Sequence, residues 1–75
     1  MIEWLKTIRE KERYTQTLLA EKLGVGRQTY NNYERERRKI SPEMAKKIAE
    51  VLDFEKYGIT WAKFYDRDTP ANDPA

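Results

Sequence analysis

Gly24-Val25-Gly26 interrupts an otherwise helix-forming stretch, Thr15 to Lys39 (TQTLLAEKLGVGRQTYNNYERERRK), and this break constrains the fold more than any other feature. Gly24 supplies the left-handed residue that stops a helix, and Gly26 serves as a weak N-cap for the next. The stretch therefore reads as two short helices joined by a glycine-flanked turn, helix two over about 16–23 and helix three over about 27–35. Leu19, Ala20 and Leu23 form the buried side of the first, and Val25 points inward from the turn. Tyr30 and Tyr33, three residues apart, form the buried side of the second. Arg27, Gln28, Asn31 and Asn32 fall largely on the other side, ahead of Arg35, Arg37, Arg38 and Lys39. Groups that hydrogen-bond base edges thus stand beside groups that hold phosphates.

The flanking segments extend an all-helical pattern. Ile2, Leu5 and Ile8 recur at helical spacing, with Trp4 one turn before Ile8, so helix one covers about residues 2–12. Thr15 is the N-cap of helix two. Ser41-Pro42-Glu43 opens helix four, about 42–52, with a serine cap, proline at the first position and an early carboxylate. Met44, Ala45, Ile48, Ala49, Val51 and Leu52 give it a broad apolar face. Residues 53–59 read as a loop anchored by Phe54 and Ile59. Thr60 caps a fifth short helix carrying Trp61, Phe64 and Tyr65 at i, i+3 and i+4. These aromatics are most simply a core lid, and a dimer surface is the other reading. The acidic tail, 66–75, has two of the three prolines and no large apolar residue, and is expected to be disordered.

The 75 residues suffice for one small domain, taken as 1–65, whose limited core favours compact helices or an oligomer. With no cysteine and no histidine, neither disulfides nor the usual zinc ligands are expected, which fits a cytoplasmic location. The charged N-terminus is not a signal peptide, and no apolar run approaches the ~18 residues that span a bilayer. The net charge is only +2, but residues 27–39 hold five basic and two acidic side chains, whereas 66–75 hold one basic and three acidic. A local basic excess of this kind suits a polyanion. The plainer reading is a solvated charged surface, because 37% of the chain is charged. An enzyme is not expected: acid–base work would fall to carboxylates or lysine, no carboxylate pair occupies an apolar cleft, and no glycine-rich phosphate loop occurs. No catalytic, metal or cofactor residue is assigned.

TQTLLAEKLGVGRQTYNNYE resembles the helix-turn-helix of the phage Cro and repressor-type, Xre-like DNA-binding family. The resemblance covers roughly residues 2–53. It rests on the TQ opening of helix two, Leu19-Ala20, Leu23-Gly24-Val25, Arg27-Gln28-Thr29, Tyr33-Glu34, and Ala45, Ile48, Ala49 and Leu52 in helix four. It implies a compact five-helix, lambda-repressor-like fold with the helix-turn-helix at helices two and three, and the third helix entering the major groove. The residues fit that implication. Arg27 can fork to guanine, and Gln28 or Asn32 can pair with adenine, each good pair contributing about 1–3 kcal/mol of discrimination. Thr29 and Asn31 complete the DNA-facing set on helix three, with Asn32 better placed than Asn31. By resemblance, Gln16 bonds a backbone phosphate, and Arg35, Arg38 and Lys39 belong to the post-helix loop that grips phosphates. Resemblance likewise pairs Arg9 with Glu34, largely out of water. Breaking such a pair costs more than the intact pair contributes.

Three positions depart from the family pattern. Glu36 stands where glycine is common after helix three, Gly26 where a hydroxyl cap is usual, and Leu18 where a polar residue is usual. Leu18 is either a stray surface leucine or a contact for a partner or a thymine methyl. The expectation is a complete small transcriptional regulator, a repressor of phage, plasmid or other mobile-element type, binding double-stranded DNA as a homodimer. Two copies spaced one helical turn apart, roughly 34 Å, would read a palindromic operator. No separate ligand-sensing or oligomerisation domain is expected. The alternative is an antitoxin or antirepressor that uses the same fold to seize a protein partner, with Leu18 and the 54–65 aromatics as its working surface.

Overall fold

The computed structural model describes residues 1–65, so the expected disordered tail at 66–75 lies outside the described residues. Among those described are four α-helices, α1 (Glu3–Lys11), α2 (Gln16–Leu23), α3 (Arg27–Glu34) and α4 (Pro42–Val51), two 3₁₀ helices and no strand. No helix among them is long and apolar enough to cross a membrane. The chain divides into two compact units, Met1–Ile40 and one that begins at Ser41.

In the first unit, each helix turns one stripe inward. Leu5, Ile8 and Arg9 are buried on α1, Leu19, Ala20 and Leu23 on α2, and Tyr30, Tyr33 and Glu34 on α3. The spacing is that of one helical face. A fully buried Leu19 or Leu23 contributes about 1.5–3 kcal/mol relative to exposure. Tyr30 and Tyr33 meet edge to face at 6.4 Å, a favourable aromatic geometry. Thr15 caps α2 as expected, its Oγ1 accepting from the Leu18 amide at 3.1 Å. Gly26 precedes α3 with no side-chain capping bond, so one donor satisfied at the start of α2 is left to other partners at the start of α3.

The helix ends use one device repeatedly. At α2 the Val25 amide donates to Ala20 O at 3.0 Å and the Gly24 amide to Glu21 O at 3.1 Å, with Gly24 left-handed at φ 77°. This closure satisfies carbonyls that the helix would otherwise leave unpaired. At α1 and α3 the same bonds form around Arg13 (φ 65°) and Glu36 (φ 62°). Crowding of the Cβ makes that conformation cost a non-glycine residue about 1–2 kcal/mol. Arg13 and Glu36 are thus held left-handed by the carbonyls they help to satisfy.

In the second unit, α4 begins as the sequence indicates. Ser41 Oγ accepts from the Met44 amide at 3.1 Å, and Pro42 occupies the first turn, where a missing N–H costs no intrahelical bond. Ala45, Ile48 and Leu52 are fully buried. The expected loop over 53–59 contains a 3₁₀ helix, Phe54–Tyr57, in which Phe54 is the buried anchor and Ile59 is half-buried.

The expected fifth helix is a 3₁₀ helix, Trp61–Tyr65, rather than an α-helix. The Lys63 amide bonds Thr60 O at 3.0 Å, three residues back. Five residues yield too few i→i−4 bonds to offset nucleation, and the tighter helix eclipses residues three apart. Phe64 is therefore buried, with its ring 5.9 Å from Phe54, while Tyr65, the i+4 member of the expected stripe, is 47% exposed. Trp61 is half-buried, with the Lys46 ammonium 5.0 Å from its ring.

Releasing the left-handed strain should raise stability. Arg13→Gly is expected to stabilise by about 1 kcal/mol, whereas Gly24→Ala should destabilise by about 1 kcal/mol. Urea unfolding midpoints would check both, and a stability loss for Arg13→Gly would show that the arginine side chain outweighs the backbone relief.

Candidate nucleic-acid interface

At 100° per residue, the buried Tyr30, Tyr33 and Glu34 define one side of α3. Gln28 and Asn32, one turn apart, lie opposite. Arg27 and Asn31 lie on one flank, and Thr29 on the other. Arg27 and Gln28 are exposed, whereas Thr29, Asn31 and Asn32 are half-buried. The next segment is exposed from Arg35 through Lys39 before Ile40 turns inward. Among the described residues, Arg27, Arg35, Arg37, Arg38 and Lys39 have no ion-pair partner. The surface beside α3 therefore carries cations that the described residues leave uncompensated.

Helix α3 ends where Glu36 turns left-handed. The Arg37 amide donates to Asn32 O at 2.9 Å and the Glu36 amide to Tyr33 O at 3.2 Å. The chain does not continue helically past this point, so the basic residues after it leave the helix axis. The position where the family pattern has glycine keeps a glycine-like backbone without glycine.

Behind this face lies a carboxylate with no exposure. Glu34 Oε2 accepts from Arg9 Nε at 2.6 Å and from the Tyr30 hydroxyl at 2.7 Å, and Oε1 accepts from Gln16 Nε2 at 3.1 Å. Arg9, itself 7% exposed, also donates through Nη1 to Tyr14 O at 2.8 Å. The Glu34 backbone carbonyl accepts from the Ile2 amide at 2.8 Å. One residue thus receives bonds from α1, α2 and α3 and from the chain before α1. The expected Arg9–Glu34 pair is present and out of water.

The pair shapes nearby titrations. Burial pulls the Arg9 guanidinium toward a lower pKa, but the hydrogen bond and charge of Glu34 more than reverse this and hold it above its usual value. Burial raises the Tyr30 phenol well above the ordinary tyrosine range, helped by its hydrogen bond to Glu34 and that residue's charge. Arg9 opposes the shift only in part.

The sequence-predicted residues therefore fall into two groups. Gln28 and Asn32 lie on the outer face of α3, Arg27 and Thr29 on its two flanks, and Arg35, Arg38 and Lys39 just beyond its end. Gln16 is tied to Glu34, and Asn31 to Gln16, with Asn31 Nδ2 donating to Gln16 Oε1 at 3.1 Å. The Tyr30 hydroxyl is a polar participant that spacing alone assigned only to packing; its i,i+4 relation to Glu34 was the available signal. Leu18, on α2, is 48% exposed.

The model of the family described as Helix-turn-helix matches residues 5–64. No curated protein and no solved structure matches the chain.

The buried carboxylate makes two variants informative. Arg9→Met should destabilise by about 3–5 kcal/mol, because Glu34 would be left buried without its counter-charge. Tyr30→Phe should cost about 1.5–3 kcal/mol, the range for a hydrogen bond to a charged group; equal losses would show that the ion pair has no special weight. Tyr30 also sets an alkaline limit. An unfolded tyrosine ionises near pH 10, whereas the fold keeps Tyr30 neutral. Its stabilising contribution is complete below about pH 10 and is lost as pH climbs toward the raised folded value. Phenolate absorbance should show Tyr30 ionising together with loss of helical circular dichroism, and that coincident step should vanish in Tyr30→Phe.

Proposed function

The chain belongs to the helix-turn-helix family, and on that footing we propose that it is a small transcriptional regulator that binds double-stranded DNA sequence-specifically through the major groove. One observation carries this reading: α3 exposes Arg27 and Gln28, with Asn32 opposite its buried side, and exposed basic residues that pair with no described residue follow directly. Arg27 provides the guanidinium fork for guanine, and Gln28 and Asn32 provide the amide pair for adenine. Thr29 lies beside them on the same first turn. Arg35, Arg38 and Lys39 supply phosphate contacts, and Gln16 adds one at the start of α2.

The regulator acts as a repressor by occupying its operator in the cytoplasm. It binds as a homodimer, because one copy of so short a helix contacts too few base pairs for useful discrimination. Two copies about 34 Å apart contact successive turns of one groove face. Phage and other mobile-element regulators suit this design, and the domain is 1–65. Reading DNA through side chains and charge requires no cofactor or catalytic group.

A second reading is favoured by one observation, the 48% exposure of Leu18. A large apolar side chain left in water suits capture of a protein, as in an antitoxin or antirepressor role. Salt separates the two readings. Phosphate-anchored binding to duplex DNA should weaken with a log–log slope near −0.9 per phosphate neutralised. Retention on duplex indifferent to salt over roughly 50–200 mM would remove the DNA reading. Within that reading, Arg27→Ala/Gln28→Ala should relax base preference by about 1–3 kcal/mol per lost pair and leave nonspecific binding in place. Arg38→Ala/Lys39→Ala should weaken all duplexes about equally. Selection from a random duplex pool, with the mass of the complex measured, checks preference and stoichiometry together.

A further inference from the structure

Glu34 dictates which way two neighbouring amides face. A carboxylate accepts hydrogen bonds but does not donate them, so the Gln16 amide must turn its nitrogen toward Glu34 Oε1. Its oxygen then faces the other way, and only a donor can meet it. Asn31 does so, with Nδ2 donating to Gln16 Oε1 at 3.1 Å. The chain of bonds therefore has one polarity, Asn31 to Gln16 to Glu34, anchored at a charge with no exposure.

This wiring leaves Gln16 with one Nε2 hydrogen that no described residue takes. Gln16 is the first residue of α2, where backbone N–H groups also lack intrahelical acceptors. Thr15 Oγ1 satisfies the Leu18 amide, leaving those of Gln16 and Thr17. A rotation of the Gln16 amide by half a turn would oppose its oxygen to the carboxylate. It would also face Gln16 nitrogen with Asn31 nitrogen. Both contacts are repulsive, so Asn31 and Glu34 together hold one orientation.

We propose that Asn31 is a positioning residue that fixes the Gln16 amide with a donor directed at a DNA phosphate, and that it does not itself read a base. The proposal rests on the DNA-binding reading above. It gives the residues of α3 separate roles, in which Arg27, Gln28 and Asn32 face bases while Asn31 acts through α2 on the backbone. Asn31 lies on the flank of α3, whereas Gln28 and Asn32 lie opposite the buried side. One of the two Asn31 Nδ2 hydrogens is already spent on Gln16, which ties the amide to α2 rather than leaving it free to turn toward a base.

The test uses the full chain with Asn31→Ala, Gln16→Ala and the double variant. Each is measured on a mixed-sequence duplex across a salt series and by selection from a random duplex pool. Asn31→Ala should weaken binding to every duplex about fivefold, the equivalent of one hydrogen bond. Like Gln16→Ala, it should leave the salt slope unchanged, because an uncharged amide neutralises no phosphate, and it should select the same sequence as the parent protein. Adding Asn31→Ala to Gln16→Ala should change nothing further, because a residue that acts through Gln16 has no effect once the amide is gone. A changed selected sequence, or a full Asn31→Ala effect in the Gln16→Ala background, would overturn the proposal in favour of direct base reading. Unaltered binding by Asn31→Ala would overturn it too. In the DNA-free protein, side-chain amide resonances of Gln16 should shift and exchange faster with solvent in Asn31→Ala. If the parent protein fails to bind duplex while those resonances respond as expected, the DNA-binding reading falls and the wiring stands.

Discussion

The Glu34 carboxylate organises the first forty residues. Removing a charge from water costs several kcal/mol, and only a well-matched set of donors offsets it. Here the donors are Arg9 from α1, Gln16 from α2 and Tyr30 from α3 itself. Arg9 and Gln16 reach the carboxylate only when α1 and α2 are docked against α3, whereas Tyr30 bonds it within α3. The pair is therefore better understood as a geometrical constraint on α3 than as a net source of stability. An apolar side chain could fill the same space, but it would not specify the rotation of α3 about its axis.

That rotation matters because α3 has two faces with opposed demands. Its inner side carries two tyrosines and a carboxylate; its outer side carries the amides of Gln28 and Asn32, with Arg27 on the flank. The bonds that Glu34 accepts from Arg9 and Gln16 tie the inner side to α1 and α2 and so resist rotation of the helix, while the Tyr30 hydroxyl, within α3, helps to orient the carboxylate. The two ends of the helix are less favourable. Gly26 makes no side-chain capping bond, and Glu36 adopts a left-handed conformation suited to glycine. The recognition segment is thus held from beneath more firmly than from its ends.

The helix pattern is legible residue by residue. Thr15, Gly24, Ser41 and Pro42 mark ends whose chemistry is local, so the bounds of α2 and α4 agree closely with those read from spacing. The Arg9–Glu34 pair is legible only through resemblance, because the partners are 25 residues apart and nothing local links them. The last turn departs from its expectation. Trp61, Phe64 and Tyr65 fit an α-helical stripe, but the choice between i→i+3 and i→i+4 bonding depends on helix length and on where Phe64 packs. The Gln16–Asn31 bond is not legible at all, since exposed-looking amides on two helices carry no sign of mutual contact.

By itself, the sequence determined the helical class, the glycine-flanked break, the identity of the buried stripes and the local basic excess after α3. These depend on periodicity, capping and charge, which act over a few residues. Tertiary structure decided which polar side chains face outward and which are consumed within. Asn31 and Asn32 are adjacent in sequence and identical in chemistry. One is bonded to α2, and the other lies opposite the buried side, because 100° of helical rotation brings only the first within reach of an amide that Glu34 has already turned.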